Sequence, residues 1–322
     1  MNFYYFLFKK ISLAILGVFI TLTFLFFFLG IFINSDFSSP LVIQYFKYLL
    51  SIFTFKFGKI YNSTISNSFI NPATFYFFYI KLSLIFTLIT FLLSIIIGFG
   101  IGIFSAYKIN TKSEILTNII IFFFSSIPTF ILAPIGIILA EKLDFPINYI
   151  DPNLLGFSFT INSFIIPVII LSLGTITIFS ILTKKVLLNI LNQDYVIIMK
   201  ANGMSSFKIF WKVIFKNLII NQLNYLIPIY VAMVSYSMII ERIFQIPGQS
   251  LLLNSVIKMN ELEILSTFIF FTSLFIYLAQ ALIEILYQTL NVDNKMNFYF
   301  KIQNRKINLF NEQREGVKNE IK

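Results

Sequence analysis

Six stretches of this chain carry no charged side chain and are each long enough to cross about 30 Å of hydrocarbon as a helix: residues 11–35, 82–107, 115–140, 152–183, 217–240 and 264–283. With 58% apolar residues, 12% charged residues and a mean hydropathy of +0.86, the remainder cannot cover such stretches with a water-facing surface, so the bilayer is the expected solvent. A further uncharged run at 60–80 is set aside, because its half YNSTISNSFINP is rich in amides and hydroxyls and holds a proline, the pattern of a loop entering the second helix. The run at 11–35 exceeds the about 7–15 residue core of a secretion signal and no small-x-small cleavage site follows, so a retained helix is expected. The predicted fold is an all-α polytopic membrane protein with six transmembrane helices. It divides into an N-terminal helix in 1–33, an external segment at 34–77, a core of five helices over 78–290 with a cytoplasmic loop at 184–217, and a cytoplasmic tail at 291–322.

Basic residues resist translocation, so their distribution sets the orientation. With the N-terminus inside, seventeen of the 24 lysines and arginines fall on the inner side, from Lys9 and Lys10 to the seven beyond 290. Lys47, Lys56, Lys59, Lys81, Lys142, Arg242 and Lys258 remain outside. Both termini are therefore expected in the cytoplasm. The net charge of +10 is accounted for by retention and anionic headgroups, with no nucleic acid as partner.

The absences narrow the chemistry. Without cysteine or histidine there is no disulfide, thiolate metal site, imidazole relay or histidine-based catalytic triad, so the external segment is expected to hold its shape by packing alone. No phosphate-binding GxxxxGK[ST] loop and no HExxH is present, so the chain is not expected to be an enzyme, to hydrolyse ATP or to bind a metal. No acid or base sits at the centre of a span, which disfavours a proton- or sodium-driven carrier. A carrier and a channel-like protein remain the rival readings. The 42 phenylalanines fit the coding bias of an AT-rich genome.

Within the external segment, LVIQYFKYLLSIFTFKFGKIY reads as an amphipathic helix on the membrane surface or as a soluble loop. Gly98 and Gly102 share one helix face and allow a close neighbour. The third span holds SSIPTF, whose Pro128 is expected to bend the helix in mid-membrane with Ser125, Ser126 and Thr129 at hand for the freed backbone. The fourth helix is expected to begin near Pro167 and to carry Ser172, Thr175, Thr177 and Ser180 as a weakly polar stripe, for helix contact or for a wetted path. The fifth begins within NLIINQLNYLIP and closes at Glu241, where ERIFQIPGQS forms an external turn with Pro247 and Gly248.

Residues 192–217, NQDYVIIMKANGMSSFKIFWKVIFKN, break the oily pattern. Asp194 is expected as helix N-cap, YVIIMKAN as two turns, and Gly203 as a left-handed cap ending them. Ser205 or Ser206 then caps a second helix in which Lys208, Lys212 and Lys216 recur every four residues, with Phe207, Phe210, Ile214 and Phe215 filling other sides. Periodicity alone leaves two readings open: a connector whose lysines reach headgroups, or a lever gripped by a partner.

The stretch TKKVLLNILNQDYVIIMKANGMSSFKIFWKVIFKN resembles the cytoplasmic coupling loop of the inner-membrane permeases of binding-protein-dependent ABC importers, in particular the first permease of the oligopeptide, dipeptide and nickel group. In order along the chain, the basic N-terminal helix, QYFKYLLSIFTFKFGKIYNSTI, IGFGIGIFSAYK, SSIPTF, IIPVIILSL, IIERIFQIPGQSLL and LIEILYQTLN agree with it. The resemblance implies a type I ABC importer permease fold in a bacterial plasma membrane. Implied partners are a second homologous permease, two ATP-binding subunits that hold the ATP and Mg, an external substrate-binding protein or lipoprotein, and membrane lipids. Residues 197–203 take the place of the family's Glu-Ala-Ala-x-x-x-Gly loop, so Asp194, Tyr195, Ile197, Ile198, Met199, Lys200, Ala201, Gly203 and Met204 are the implied ATPase-coupling residues. Ile197, Ile198 and Met199 stand where the general motif has Glu-Ala-Ala, Ser250 replaces a glycine, and Asn291-Val292 replaces Asp-Pro. Ser126, Pro128, Thr129, Pro167 and Ser172 are the candidate translocation-path residues. Peptides lead as cargo, with nickel or another small solute as the alternative.

Overall fold

The computed structural model describes residues 3–33 and 39–291, so the predicted tail beyond Asn291 lies outside the described residues. Every regular element among these is helical: α1 (Phe3–Gly30), α2 (Leu41–Phe53), α3 (Ser63–Ser66), α4 (Pro72–Tyr107), α5 (Lys112–Ser126), α6 (Thr129–Lys142) and α7 (Pro152–Leu155). Then follow α8 (Phe157–Leu191), α9 (Asp194–Ala201), α10 (Ser206–Ile209), a π-helical turn (Phe210–Ile214), α11 (Phe215–Ile243), α12 (Gln249–Lys258) and α13 (Leu262–Leu290). Five rods, namely α1, α4, α8, the continuous helix Ser206–Ile243 and α13, are long and apolar enough to cross a membrane.

The sixth span is broken rather than bent. Helices α5 and α6 meet at 99°, since Pro128 offers no N–H and drives Ile127 into an extended conformation (φ −91°, ψ 117°). Their register against α8 nevertheless runs in one direction. Glu114 pairs with Lys184, Thr129 lies beside Gly174, Gly136 beds on Ile166 and Ile170, and the Ile150 N–H reaches Ser163 Oγ at 3.4 Å. From residue 184 back to 163 an α-helix rises about 30 Å, the hydrocarbon thickness, so the pair crosses as one span instead of re-entering. At the break, Ser125 and Ser126 donate to the Phe122 and Phe123 carbonyls, as the sequence leads one to expect.

Three boundaries depart from expectation. The fourth long helix does not begin at Pro167: left-handed Gly156 (φ 90°) supplies the break, and α8 runs through the proline. The second span starts at Pro72, inside the predicted external segment, because Asn71 and Thr74 form a capping box and Pro72 is tolerated at the first helical position. The amphipathic helix predicted from Leu41 to Tyr61 stops at Phe53, and Phe55 and Phe57 adopt left-handed φ. Its buried face, Tyr45, Tyr48 and Ile52, packs in one core with Leu22 and Phe26 of α1.

Helices α4 and α8 lie closest together. A Cβ on Gly98 would stand 2.5 Å from Phe179 Cβ, and one on Gly102 2.7 Å from the Ser180 carbonyl oxygen, so both glycines are occupied by a neighbouring backbone. Within the hydroxyl stripe of α8, Thr175 makes a helix contact, its Oγ1 meeting Ser94 Oγ of α4 at 2.5 Å, while Ser172, Thr177 and Ser180 donate to carbonyls of their own helix; further along, Thr183 Oγ1 accepts from Gln222 Nε2 of α11 at 2.8 Å. Helix α1 is fastened to α13, with Lys10 paired to Glu284 and Thr21 Oγ1 3.1 Å from the Tyr277 hydroxyl.

At the end bearing the 192–217 loop, Lys184 Nζ donates to Glu114 Oε1 at 2.5 Å and to Asn118 Oδ1 at 3.2 Å. Glu114→Ala leaves this half-buried ammonium one partner. The thermal midpoint in detergent is expected to fall, and to fall by less in Glu114→Gln, which keeps a hydrogen-bond acceptor beside the ammonium.

The far end is held by more than packing, contrary to the sequence expectation. Buried Glu261 accepts the Asn62 backbone N–H, while Glu263 accepts the Lys59 N–H at 2.5 Å and the Tyr61 hydroxyl at 3.2 Å. Sequence reading passed over both acids because backbone N–H groups, which composition does not display, neutralise their burial. Burial pushes the Glu261 carboxyl above the ordinary carboxylate range, against the pull of the Asn62 and Tyr61 backbone N–H groups and with the help of nearby Glu263. Between the ordinary and the raised pKa the folded state binds the extra proton, so stability falls as pH rises through that window. Thermal midpoints measured across it should decline for the native chain and flatten for Glu261→Gln; equal slopes would refute the assignment.

Candidate functional site

The 192–217 loop is built as a jointed rod seated on the bundle. Gln193, in extended conformation, is the N-cap residue of α9 and makes no side-chain cap bond. Asp194 is therefore not the cap but the first helical residue, where its carboxylate still complements the helix dipole. At the other end Asn202 is the C-cap and Gly203 has φ 77°. The Gly203 N–H donates to the Lys200 carbonyl at 3.0 Å and the Met204 N–H to the Met199 carbonyl at 3.2 Å, the paired bonds of a Schellman motif. The predicted glycine joint thus has a defined geometry. Ser205 precedes α10 as N-cap without a side-chain bond. The π-turn then carries the chain into α11 unbroken, making Ser206–Ile243 one rod.

A buried cluster fixes this rod. Val196, Ile209, Ile214 and Leu218 pack with Leu187 and Ile190 of α8 and Ala106 of α4, so loop, α4, α8 and α11 share one apolar seat. The Asn217 amide also donates to the Tyr195 hydroxyl at 3.1 Å, tying α9 to α11.

What the seat leaves outside is apolar as well. Ile197 and Ile198 are 54% and 58% exposed, Phe207 76% and Trp211 53%, among exposed Lys200, Lys208, Lys212 and Lys216. Phe207 faces outward, because Ile209, Ile214 and Leu218 occupy the side against the bundle. Of the residues the resemblance singles out, Met199 and Met204 are half-buried against the cluster, while Asp194, Tyr195, Ile197, Ile198, Lys200, Ala201 and Gly203 are exposed. Phe207 and Trp211 were missed as exposed-face residues; their four-residue spacing beside the lysine row was the available signal.

The candidate path residues fall into two groups. Ser126 and Pro128 are exposed at the break between α5 and α6, with Thr129 facing Gly174 of α8; Pro167 and Ser172 are buried within α8. The external-turn residues are gathered tightly. Gly248 lies against Ser83 Oγ and Glu241 Oε2, Glu241 Oε2 accepts the Ser250 N–H at 3.0 Å, and Ser83 Oγ accepts the Gln249 N–H at 2.7 Å. Ser83, Gln249 and Ser237, which bonds the Gln249 amide at 3.1 Å, complete this buried cluster; sequence reading gave no signal for them, as they lie on three different helices.

A six-span helical bundle with a seated, glycine-jointed loop defines a multi-pass membrane component of transport type. Residues 98–292 match the family described as binding-protein-dependent transport system inner membrane component, and the chain belongs to that family. It is a protein of the bacterial plasma membrane. The chain is 27% identical to the dipeptide transport system permease protein DppB of Bacillus subtilis (strain 168) over 80% of each chain. It is 26% identical to the oligopeptide transport system permease protein OppB of Mycoplasma genitalium, over 87% of this chain and 74% of that one. To the nickel import system permease protein NikB of Staphylococcus aureus (strain bovine RF122 / ET3-1) the identity is 26%, over 80% and 74%.

Proposed function

We propose that this chain forms one half of the translocation path of an ATP-driven peptide importer, and that its 192–217 loop seats in a cleft of an ATPase subunit. The observation that carries the reading is the exposed apolar surface of Ile197, Ile198, Phe207 and Trp211 within a ring of lysines, on a loop whose opposite side is locked into the bundle. A loop that only lay on headgroups would need its lysines but not a rigid joint. Two copies of ATP and Mg are held by the partner ATPases and none by this chain. When the ATPases close, each pushes such a loop, and the rod Ser206–Ile243 passes the movement into the membrane. Driving a two-state pore from 1:99 to 99:1 takes about 5.5 kcal/mol of differential binding, which a seated rod transmits and a loose connector dissipates.

In this reading the partners are a second, similar permease, two ATP-binding subunits and an external substrate-binding protein or lipoprotein. Both termini face the cytoplasm, following the basic residues. The far-end cluster at Glu241, Pro247 and Gly248 holds the external turn. The path follows the break at Ser126, Pro128 and Thr129 alongside α8. Selection rests with the external protein, which fits the absence of charged groups at mid-membrane.

Purification in mild detergent tests this: two ATPases and a sibling permease should accompany the chain, and purification of the chain alone with transport intact would end the proposal. The similarity to NikB supports nickel as a second cargo reading. The ligand retained by the co-purified external protein, peptide or chelated metal, decides between them.

A further inference from the structure

Beside the coupling loop, α8 and α11 enclose an open cavity of about 620 Å³ that none of the readings above uses. Its polar lining includes Lys185, Asn189, Gln193, Asn217, Asn221 and Asn291, beside the Tyr195 and Tyr225 rings. We infer that this vestibule binds the main chain of a peptide leaving the path, through a cluster of side-chain amides; the inference rests on the peptide reading of the function.

Three observations carry it. First, the donor set suits an amide ligand and little else. Lys185 is the one charged side chain among the described lining residues and no carboxylate is present, so a metal cation finds no anionic ligand here. Side-chain amides offer both a donor and an acceptor, the complement of a peptide unit. In the structure they spend little of this capacity: Gln193 donates once back to the Asn189 carbonyl in the last turn of α8, Asn221 donates once to the Asn217 carbonyl, and Asn217 donates to Tyr195.

Second, the spacing fits. Asn217 and Asn221 are four residues apart on α11, so this pair spans about 6 Å along its helix, while Asn189 stands in the last turn of α8 and Gln193 just beyond its end. An extended chain presents equivalent peptide groups about every 6.6 Å. The α11 pair can therefore grip successive units without reading the side chains between them, with Asn189 and Gln193 supplying further amides from the neighbouring wall, and Lys185 suits a terminal carboxylate.

Third, Asn217 and Asn221 stand in the first turns of α11, directly after exposed Lys212 and Lys216, where side-chain amides are within reach of water. The wall is also mechanically placed, since the Tyr195–Asn217 hydrogen bond makes α9 of the coupling loop part of it. A loop movement then changes the vestibule's width.

The test uses the full importer, with both permeases, both ATPases and the external protein, reconstituted in vesicles and offered a labelled mixture of short peptides. The double variant Asn189→Leu/Asn221→Leu should lower peptide uptake at least tenfold while ATP turnover stimulated by the loaded external protein stays within twofold. Asn189→Gln/Asn221→Gln should restore most of the uptake. A photo-crosslinking residue in place of exposed Tyr225, which lines the same cavity, should label the peptide during turnover. Unchanged uptake in the leucine variant, or crosslinks confined to the sibling permease or to this chain's own tail, would overturn the vestibule and leave the peptide importer standing. Import of nickel with no peptide by the native complex would overturn both.

Discussion

Gly203→Val is expected to reduce uptake by at least tenfold while the protein reaches the membrane in normal amount. The position isolates backbone from packing. Gly203 has φ 77°, yet a Cβ added there meets nothing within 4 Å, so the substitution clashes with no neighbour and acts only through the left-handed conformation. That conformation costs an L-residue about 1–2 kcal/mol, and a β-branched side chain pays the upper part. Losing the Gly203 and Met204 hydrogen bonds would free α9 from α10, while Val196 and Ile209 would still hold each to the bundle. Gly203→Asn, a residue that tolerates left-handed φ, should keep most of the activity. Uptake normalised to membrane abundance decides the matter; wild-type rates in the valine variant would mean that the joint carries no load.

Gly102→Val should act differently, by removing folded protein. Here the added Cβ would stand 2.5 Å from Thr183 Cβ and 2.7 Å from the Ser180 carbonyl, and a backbone oxygen cannot rotate away. Overpacking costs about 1–3 kcal/mol where side chains can yield, and this contact involves main chain, so the upper end or beyond is expected. Monodisperse protein recovered after extraction should fall sharply. Gly100, two residues away with nothing within 4 Å of a Cβ, is the control: Gly100→Ala should be neutral or stabilise by about 0.5–1 kcal/mol through helix propensity. Equal tolerance at both sites would contradict the α4–α8 packing.

The spans were legible because lipid imposes one rule on every residue in them, and a charge-free run of sufficient length satisfies it. Gly98, Gly102 and Gly203 were legible for a related reason, since small size and left-handed φ each leave few substitutes. Helix ends were read less well. Pro128 and Pro167 look alike in sequence, yet one breaks a span and the other lies inside α8, because Gly156 had already made the turn that Pro167 was expected to make. Glu261 and Glu263 were missed because their partners are backbone N–H groups some two hundred residues away. The polar cluster around Gly248 depends on Ser83, a contact across 166 positions of sequence that no local pattern announces.

The π-turn at Phe210–Ile214 has a rotational meaning. A π-bulge accommodates one residue more than an α-helix would, and one residue is worth about 100° of azimuth. Shortening the chain by a residue there would let α geometry close over the gap, leaving Gln222, Met233 and Glu241 in their places while Phe207 and Trp211 swung about a quarter-turn around the axis. The bulge therefore acts as a phase-setter: it fixes the direction in which the aromatic pair faces, independently of how the same helix is keyed into the bundle.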